Sequence, residues 1–219
     1  MIARSLDFFE TRDFLQPYGI PFPRQTLVNP KEQVRDAASE IGYPLVLKLI
    51  SPQATHKSDQ HLVVLDIQDE DELLQHIKRL SEITQGWQVH GYLLQQQISG
   101  GIEVLMGTTL DEQFGHTLIF GSGGKLVEWM DDTVIRIPPL NRWQIEEMIQ
   151  ESRISDILKG YRDIPACNVA HLIDLLQALN HIVVDQANRL LSIDLNPVIV
   201  LPEGVYAVDA RIFVKEEPR

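Results

Sequence analysis

The sequence contains few cysteines and few cationic residues. Cys167 is the only cysteine among 219 residues, which excludes an intramolecular disulfide framework and a metal cage built from several thiolates. Lys and Arg number 19 against 31 Asp and Glu, so the net charge is −12. This balance argues against a nucleic-acid partner, because binding to a phosphate backbone needs a cationic surface. A nucleotide ligand is still compatible with it, since a nucleotide needs only a local cluster of cations.

Long apolar runs are missing as well. No run approaches the roughly 20 residues that a membrane-spanning helix needs. Residues 1–21 carry charges at Arg4, Asp7 and Glu10, which the apolar core of a signal peptide does not contain. The apolar content of 44% and the charged content of 23% are ordinary for a globular protein. We therefore expect a folded cytoplasmic protein that does not associate with a membrane.

Two common nucleotide-binding loops do not occur in the sequence. There is no Walker-type loop ending in Gly-Lys-Ser/Thr and no glycine-rich dinucleotide fingerprint. A nucleotide site in this chain must therefore be built from other elements.

The hydrophobic pattern predicts two α+β lobes, over residues 1–92 and 93–219. In the first lobe it predicts helices at 6–18, 30–41 and 71–84 and strands at 43–50 and 61–67. In the second it predicts helices at 141–159 (broken near Ser152) and 168–186, and strands at 92–98, 102–109, 117–120, 126–129, 133–137, 190–200 and 205–214. We expect the ligand site in the cleft between the lobes.

Oxygen-bearing side chains interrupt the last two predicted strands. Asp194 and Asn196 are two residues apart, so strand alternation puts them on one face. Asp209 lies within the next strand, and the turn at 202–204 would bring the two strands side by side. Buried or half-buried carboxylates are costly unless they are paired or bind a cation, and oxygen ligands suit Mg²⁺ completed by phosphates. Alternatively, these residues cap a strand and a turn, and Asn-Pro ends the ladder.

Three cationic or nucleophilic side chains are candidates for phosphate chemistry. Lys48 lies in an otherwise apolar strand and would aim a point charge at a polyphosphate, or it is a lysine of an edge strand. His56 follows in a polar loop, where it is either a nucleophile that forms a phosphoramidate or a solvated side chain, and Lys57 has the same ambiguity. Arg136, on an apolar strand, is a further candidate phosphate ligand.

The segment 95–103 joins two predicted strands through a glycine pair. Its backbone would suit an adenine edge, with Glu103 available for ribose hydroxyls; the alternative is a plain hairpin with an exposed Glu. The glycine-rich turn 120–124 would allow close approach of phosphates, although a short glycine turn is a weak signal.

Taken together, these segments resemble the ATP-grasp beta subunit of ADP-forming acetyl-CoA (acyl-CoA) synthetases, which is related to the beta subunit of succinyl-CoA synthetase. The similarity runs in family order from one end of the chain to the other. The stretches that carry it are Gly42–Lys48, Ser51–Pro52, His56–Asp59, Gly100–Val104, Gln113–Gly115, Phe120–Gly124, Asp194–Pro197 and Val208–Ile212.

The resemblance implies an ATP-grasp fold of two α+β lobes with a nucleotide cleft between them. It implies that ATP or ADP contacts Lys48, Lys57, Gln95, Gln96, Ile98, Glu103 and Arg136. Within that set, the segment from Gln95 to Ile98 would meet adenine and Glu103 would bind ribose. Asn196 and Asp209 would hold Mg²⁺, and Asp194 would lie beside the metal or a phosphorylated histidine.

The reaction that the resemblance implies is acyl-CoA + ADP + phosphate ⇌ acid + CoA + ATP. In this family a CoA-binding alpha subunit binds CoA and the small carboxylate, and one of its histidines carries the phosphate. In the ADP-forming acetyl-CoA synthetases a second histidine on a mobile loop relays it to ADP, and His56 matches that position.

Two stretches depart from the family pattern. One is Gln95-Gln96, where an acidic second residue is common in the family. Gln60-His61-Leu62 stands where family members have a hydrophobic residue and a glycine pair, and glycines let backbone N–H groups close on phosphates. Two alternatives therefore stay open: a degenerate ATP-grasp module that binds nucleotide or a partner without turnover, and a ligase that acts alone on a small carboxylate.

Overall fold

The computed structural model describes residues 3–29, 33–54, 62–124 and 132–216. The chain forms two compact units, one of Phe22–Ser99 and one of Gly100–Arg219 together with Met1–Pro21. Residue 92, the boundary that the sequence predicts, lies within the strand Gly91–Gln96. The first residues join the second unit because the strand Ala3–Ser5 pairs with the last strand of the chain.

The helices and strands are named here in chain order. They are β1 (Ala3–Ser5), α1 (Phe8–Leu15), a 3₁₀ helix (Gln16–Tyr18), β2 (Gln25–Val28), α2 (Val34–Ile41), β3 (Leu45–Ile50), β4 (Val63–Ile67), α3 (Glu70–Ile83), β5 (Gly91–Gln96), β6 (Ile102–Asp111), β7 (Gly115–Ser122), β8 (Thr133–Arg136), α4 (Arg142–Glu151), α5 (Ser155–Leu158), α6 (Val169–Asp185), β9 (Leu190–Val200), β10 (Val205–Ala207) and β11 (Arg211–Lys215). No helix among these described residues is long and apolar enough to cross a membrane.

The unit Phe22–Ser99 is built on a four-stranded antiparallel sheet in the order β2-β5-β3-β4. Leu45, Leu47 and Leu49 of β3 are fully buried in one core with apolar side chains of α2 and α3. Each such leucine contributes roughly 1.5–3 kcal/mol by leaving water. Because side chains alternate along a strand, Lys48 belongs to the opposite face of the sheet.

The larger unit is built on a seven-stranded sheet in the order β1-β11-β9-β6-β7-β8, with β10 also beside β9. Helix α6 packs on β6, β7 and β9. Its core residues Leu172, Leu176 and Leu179 are completely buried, as the apolar spacing predicted. The predicted break near Ser152 is confirmed, since Ser152 ends α4 before α5 begins.

Two predicted element boundaries are wrong. Helix α2 begins at Val34, because Gln33 has non-helical backbone angles (φ −132°, ψ 4°) and caps it without a side-chain hydrogen bond; residues 30–32 of the predicted capping box lie outside the described residues. The single strand predicted over 205–214 is two strands, β10 and β11, which Val208–Ala210 separate. The strand predicted at 126–129 also lies outside the described residues.

Candidate functional site

Asp194 and Asn196 project from the same face of β9. Ile193 before them and Leu195 between them are buried, whereas Asp194 and Asn196 are exposed. The predicted alternation is therefore confirmed, and the expected burial of these two side chains is wrong. The ladder does not end at Asn-Pro, since β9 continues through Pro197 to Val200.

A β-bulge lies beside these residues. On the neighbouring strand β6, Val104 pairs with Val198 and Met106 pairs with Leu195, so β9 carries one extra residue between the two pairs. Bulges redirect side chains near binding sites and tolerate a proline, which has no N–H to donate to the ladder.

Asp209 comes to the same region from the other edge of β9. It lies between β10 and β11, both of which pair with β9. The Val208 N–H donates to the Pro197 carbonyl oxygen at 3.1 Å, and the Ala210 N–H donates to Asp209 Oδ1 at 3.1 Å. The structure therefore brings together the oxygen-bearing side chains of Asp194, Asn196 and Asp209, although Asp194 and Asp209 are fifteen positions apart in the sequence.

The Asp194 carboxyl group is electrostatically perturbed. Loss of solvation raises its pKa, the nearby Arg211 guanidinium lowers it, and the Asp209 carboxylate raises it again, with a net rise. Asp194 pairs directly with Arg211 on β11 and with Gly107 on β6. A Cβ on Gly107 would lie 2.2 Å from the Ile193 carbonyl oxygen, so the glycine allows β6 to approach β9 closely at this position.

This perturbation predicts a pH-dependent effect of Asp194→Asn on stability. A raised pKa means that the folded state disfavours the ionised carboxylate, so at pH 7 the variant should gain less than about 1 kcal/mol of unfolding free energy, the effect being limited by solvent screening. As the pH falls through the raised pKa and below about 3.9, the Asp194 carboxyl group becomes protonated in both the folded and the unfolded state. The gain in unfolding free energy should then vanish. Urea unfolding at pH 7 and at low pH checks this.

The exposed Asp163 provides the control variant, Asp163→Asn, for which we expect no such gain. Destabilisation by Asp194→Asn at pH 7 would show instead that attraction to Arg211 outweighs the loss of solvation.

The donor set fits a magnesium ion that is completed by phosphates. Among the described residues there is no group of three or more His, Cys, Asp or Glu side chains that could hold a metal, so a closed all-protein metal site is not built there. The Asp209 carboxylate and the Asn196 amide oxygen are hard ligands, and Mg²⁺ commonly uses one or two such ligands plus waters and substrate phosphates.

Lys48 lies on an interior strand, since β3 is between β5 and β4. It pairs with Leu93 on one side and Val63 on the other, and its side chain is 8% exposed. The interpretation as an edge-strand lysine is therefore wrong. His56 and Lys57 lie outside the described residues.

The predicted adenine segment follows the end of β5. Gln95 is buried and its Nε2 donates to Gln25 Oε1 at 2.8 Å. The Gln96 N–H donates to the Arg24 carbonyl oxygen at 2.8 Å, and Ile98 is half-buried beyond the strand. Because β5 and β6 belong to different sheets, segment 95–103 is not a hairpin.

Glu103 is exposed on β6 and its carboxylate lies against the glycine-rich turn. A Cβ on Gly124 would lie 1.7 Å from Glu103 Oε2, and Gly124 has a φ of +60°. A Cβ on Gly121 would lie 1.9 Å from the Asp132 carbonyl oxygen, and one on Gly123 would lie 2.5 Å from the Val104 backbone. Strand β7 continues to Ser122, so the prediction of a turn over 120–122 is wrong and only Gly123 and Gly124 lie beyond the strand. The three glycines allow the end of β7 and the residues that follow it, here called the glycine-rich turn, to pack closely on neighbouring strands.

Arg136 ends β8 and forms an ion pair with Glu151 at the end of α4. Its Nη1 also donates to the Ile135 carbonyl oxygen at 3.0 Å. Its side chain is 28% exposed, so the guanidinium is held in place but keeps contact with solvent.

Sequence reasoning missed one charged residue of this region. Asp132 is buried at 7% exposure and accepts hydrogen bonds from Ser122 and from two backbone N–H groups. Asp132 immediately precedes the short strand β8, which shows no clear hydrophobic period. Its hydrogen-bond partners are distant in the sequence, so neighbouring residues do not reveal its role.

Comparison with known proteins identifies the family. A family model described as an ATP-grasp domain matches residues 3–214. The chain belongs to the ATP-grasp family. The ATP-grasp chain is 35% identical over 213 residues to the beta subunit of ADP-forming acetate–CoA ligase II from Pyrococcus furiosus, covering 94% of this chain and 90% of that subunit.

A second relative is much longer than this chain. ADP-forming acetate–CoA ligase II from Archaeoglobus fulgidus is 38% identical over 210 residues, which cover 96% of this chain but 30% of that protein. The ATP-grasp chain therefore corresponds to one part of that enzyme.

The fold also matches solved structures. An acetyl-coenzyme A synthetase of Candidatus Korarchaeum cryptofilum, in complex with coenzyme A, Ca-AMPCP and HgCl⁺, aligns with a TM-score of 0.88 at 34% identity over 97% of this chain and 94% of that chain. The same synthetase with Mg-AMPPCP, its phosphohistidine segment pointing towards the nucleotide binding site, aligns with a TM-score of 0.82 at 34% identity over 96% of this chain and 92% of that chain. The predicted ATP-grasp fold, with helices and antiparallel sheets, is thus confirmed.

Proposed function

We propose that this chain is the nucleotide-binding subunit of an ADP-forming acyl-CoA synthetase, which interconverts acyl-CoA, ADP and phosphate with acid, CoA and ATP. The observation that carries the proposal is the match of 94% of this chain to 90% of an acetate–CoA ligase beta subunit. The exposed oxygen ligands on β9 support it, because they suit a metal that enters with nucleotide phosphates.

The proposed contacts follow the chemistry of each side chain. Lys48 and Arg136 would bind the nucleotide phosphates. The ammonium group of a lysine and the guanidinium group of an arginine both carry a positive charge and donate hydrogen bonds to phosphate oxygens. The segment Gln95, Gln96 and Ile98 meets adenine, and the Glu103 carboxylate accepts hydrogen bonds from the ribose.

Asn196 and Asp209 would hold Mg²⁺, with Asp194 beside them. The ion would neutralise charge on the nucleotide phosphates. The bulge in β9 would orient the Asn196 side chain towards the metal. The hydrogen bond from the Ala210 N–H, 3.1 Å long, restrains the Asp209 carboxylate.

His56 is the proposed phosphate relay of this subunit, with Lys57 next to it as a phosphate contact. In the direction of ATP cleavage an imidazole nitrogen attacks the γ-phosphorus, the bond to the β-phosphate oxygen breaks and ADP leaves with the electron pair. The ring proton passes to solvent, and the resulting phosphohistidine donates the phosphoryl group onward.

A CoA-binding alpha subunit is the proposed partner. The P. furiosus relative, matched over 90% of its length, is named as a beta subunit, which supports assigning CoA and the small carboxylate to an alpha subunit. The partner would bring its own phosphohistidine to this subunit.

Calorimetric titration of the purified chain with Mg·ATP and Mg·ADP, with an EDTA control, tests the proposal. We expect saturable binding that EDTA weakens. Absence of binding at millimolar nucleotide, alone and with the partner, would contradict it. Metal-dependent binding without phosphoryl transfer would favour the degenerate module, which the replacement of the family glycine pair by Gln60-His61-Leu62 suggests.

Gly124→Ala is expected to weaken nucleotide affinity about 10-fold, because the new Cβ displaces the Glu103 carboxylate and so removes hydrogen bonds to a charged acceptor. The measurement is the dissociation constant of Mg·ADP by calorimetry.

Gly115→Ala is the matched control. Gly115 has a similar positive φ of +74°, but nothing lies within 4 Å of its would-be Cβ. Both variants should lose on the order of 1 kcal/mol of stability through backbone strain, and Gly115→Ala should keep wild-type affinity. Equal affinities in the two variants would argue against a role for Glu103.

A further inference from the structure

We propose that Asp132 is a positioning residue that fixes the glycine-rich turn, and through it Glu103, to the junction between α4 and α5. This inference rests on the proposed nucleotide function for its effect on binding. It concerns a residue outside the proposed nucleotide and metal contacts.

Within the described residues, the Asp132 carboxylate accepts three hydrogen bonds from two parts of the chain. Ser122 Oγ donates to Oδ2 at 2.7 Å. The Arg153 N–H donates to Oδ1 at 2.8 Å, and the Ile154 N–H donates to Oδ2 at 3.0 Å. Since Asp132 is 7% exposed, water has little access to replace any of these bonds.

The helix side of this arrangement needs the carboxylate. Arg153 and Ile154 connect α4 to α5, and the N-cap residue Ile154 makes no side-chain cap hydrogen bond. The two oxygens of Asp132 therefore satisfy two backbone N–H groups of the connection that precedes α5, as buried backbone groups require. Glu151, the last residue of α4, forms the ion pair with Arg136.

The turn side leads directly to Glu103. The Ser122 N–H donates to the Asp132 carbonyl oxygen at 3.2 Å, and the Gly123 N–H donates to the Glu103 carbonyl oxygen at 2.9 Å. Gly124 then contacts the Glu103 carboxylate. A displacement of Ser122 would therefore move Gly123 and Gly124, and with them the Glu103 carboxylate that we propose binds ribose.

Asp132→Asn tests this inference with little change in volume. An amide has one acceptor oxygen, so one of the two backbone N–H groups must face an NH₂ group in either side-chain orientation. We expect Mg·ADP affinity to fall about 10-fold, and amide hydrogen exchange to accelerate at Ser122, Gly123, Arg153 and Ile154 but not within α6.

Two further variants separate positioning from a general loss of stability. Ser122→Ala removes one of the three bonds and should accelerate exchange at Ser122 and Gly123 only. Asp132→Asn in a Glu103→Gln background should weaken ADP binding little further, because both changes act through the same carboxylate. Additive affinity losses, unchanged exchange at the turn, or uniform acceleration that includes α6 would overturn the proposal.

The exchange measurement needs no nucleotide. If the wild-type chain fails to bind nucleotide, the proposed function is contradicted, while the exchange pattern still decides whether Asp132 holds the turn.

Discussion

Asn196→Ala is expected to lower the rate of phosphoryl transfer from Mg·ATP to the chain by about 100-fold or more. The side chain supplies a proposed metal ligand, and loss of one fixed electrostatic contact to developing charge commonly costs about 10²–10³ in rate. The fold should be unaffected, because Asn196 is exposed on β9 while its neighbour Leu195 remains buried. The rate of labelling by γ-³²P-ATP measures the effect.

Asn188→Ala is the control for this experiment. Asn188 is exposed in the turn before β9 and should label at the wild-type rate. Wild-type chain in EDTA should resemble Asn196→Ala, because both should lack the metal that we propose Asn196 holds. A wild-type labelling rate for Asn196→Ala would remove Asn196 from the metal site.

His56→Ala is expected to abolish labelling by γ-³²P-ATP, because it removes the nitrogen that we propose attacks the γ-phosphorus. Nucleotide affinity should stay within about 3-fold of wild type, since most of the binding free energy comes from contacts elsewhere on the nucleotide. Labelling and calorimetric titration of the same protein preparation separate the chemical step from binding.

His181→Ala provides a matched histidine change, because His181 is exposed on α6 and has no proposed role. Labelling of His56→Ala at the wild-type rate would make His56 an ordinary loop residue. Wild-type chain that binds nucleotide but is never labelled would instead favour a regulatory module.

Local patterns predicted several elements of the fold correctly. Strand β9 runs from Leu190 to Val200 as predicted, and α6 begins after the Asn168 cap. These features depend on alternation, helical spacing and capping, which act over a few neighbouring residues. The ATP-grasp family could be inferred because its motifs are local stretches that occur in family order.

Features that depend on distant partners were not predicted. The strand β1 is three residues long and pairs with β11, so the assignment of the first residues to the larger unit depends on the other end of the chain. Asp209 lies between two short strands because β10 and β11 pair with separate parts of β9.

The sequence by itself determined the chemistry that this protein has available: a lysine in an apolar strand, an Asp and an Asn two residues apart on one strand face, and a glycine-rich stretch after a strand. Only the tertiary structure decided that Lys48 is on an interior strand, that Gly124 makes room for the Glu103 carboxylate, and that Asp132 joins a turn to a helix junction. The reason is physical. Residue type and local spacing determine what a side chain can do, but burial and hydrogen-bond partners come from strand pairing and packing between residues far apart in the chain.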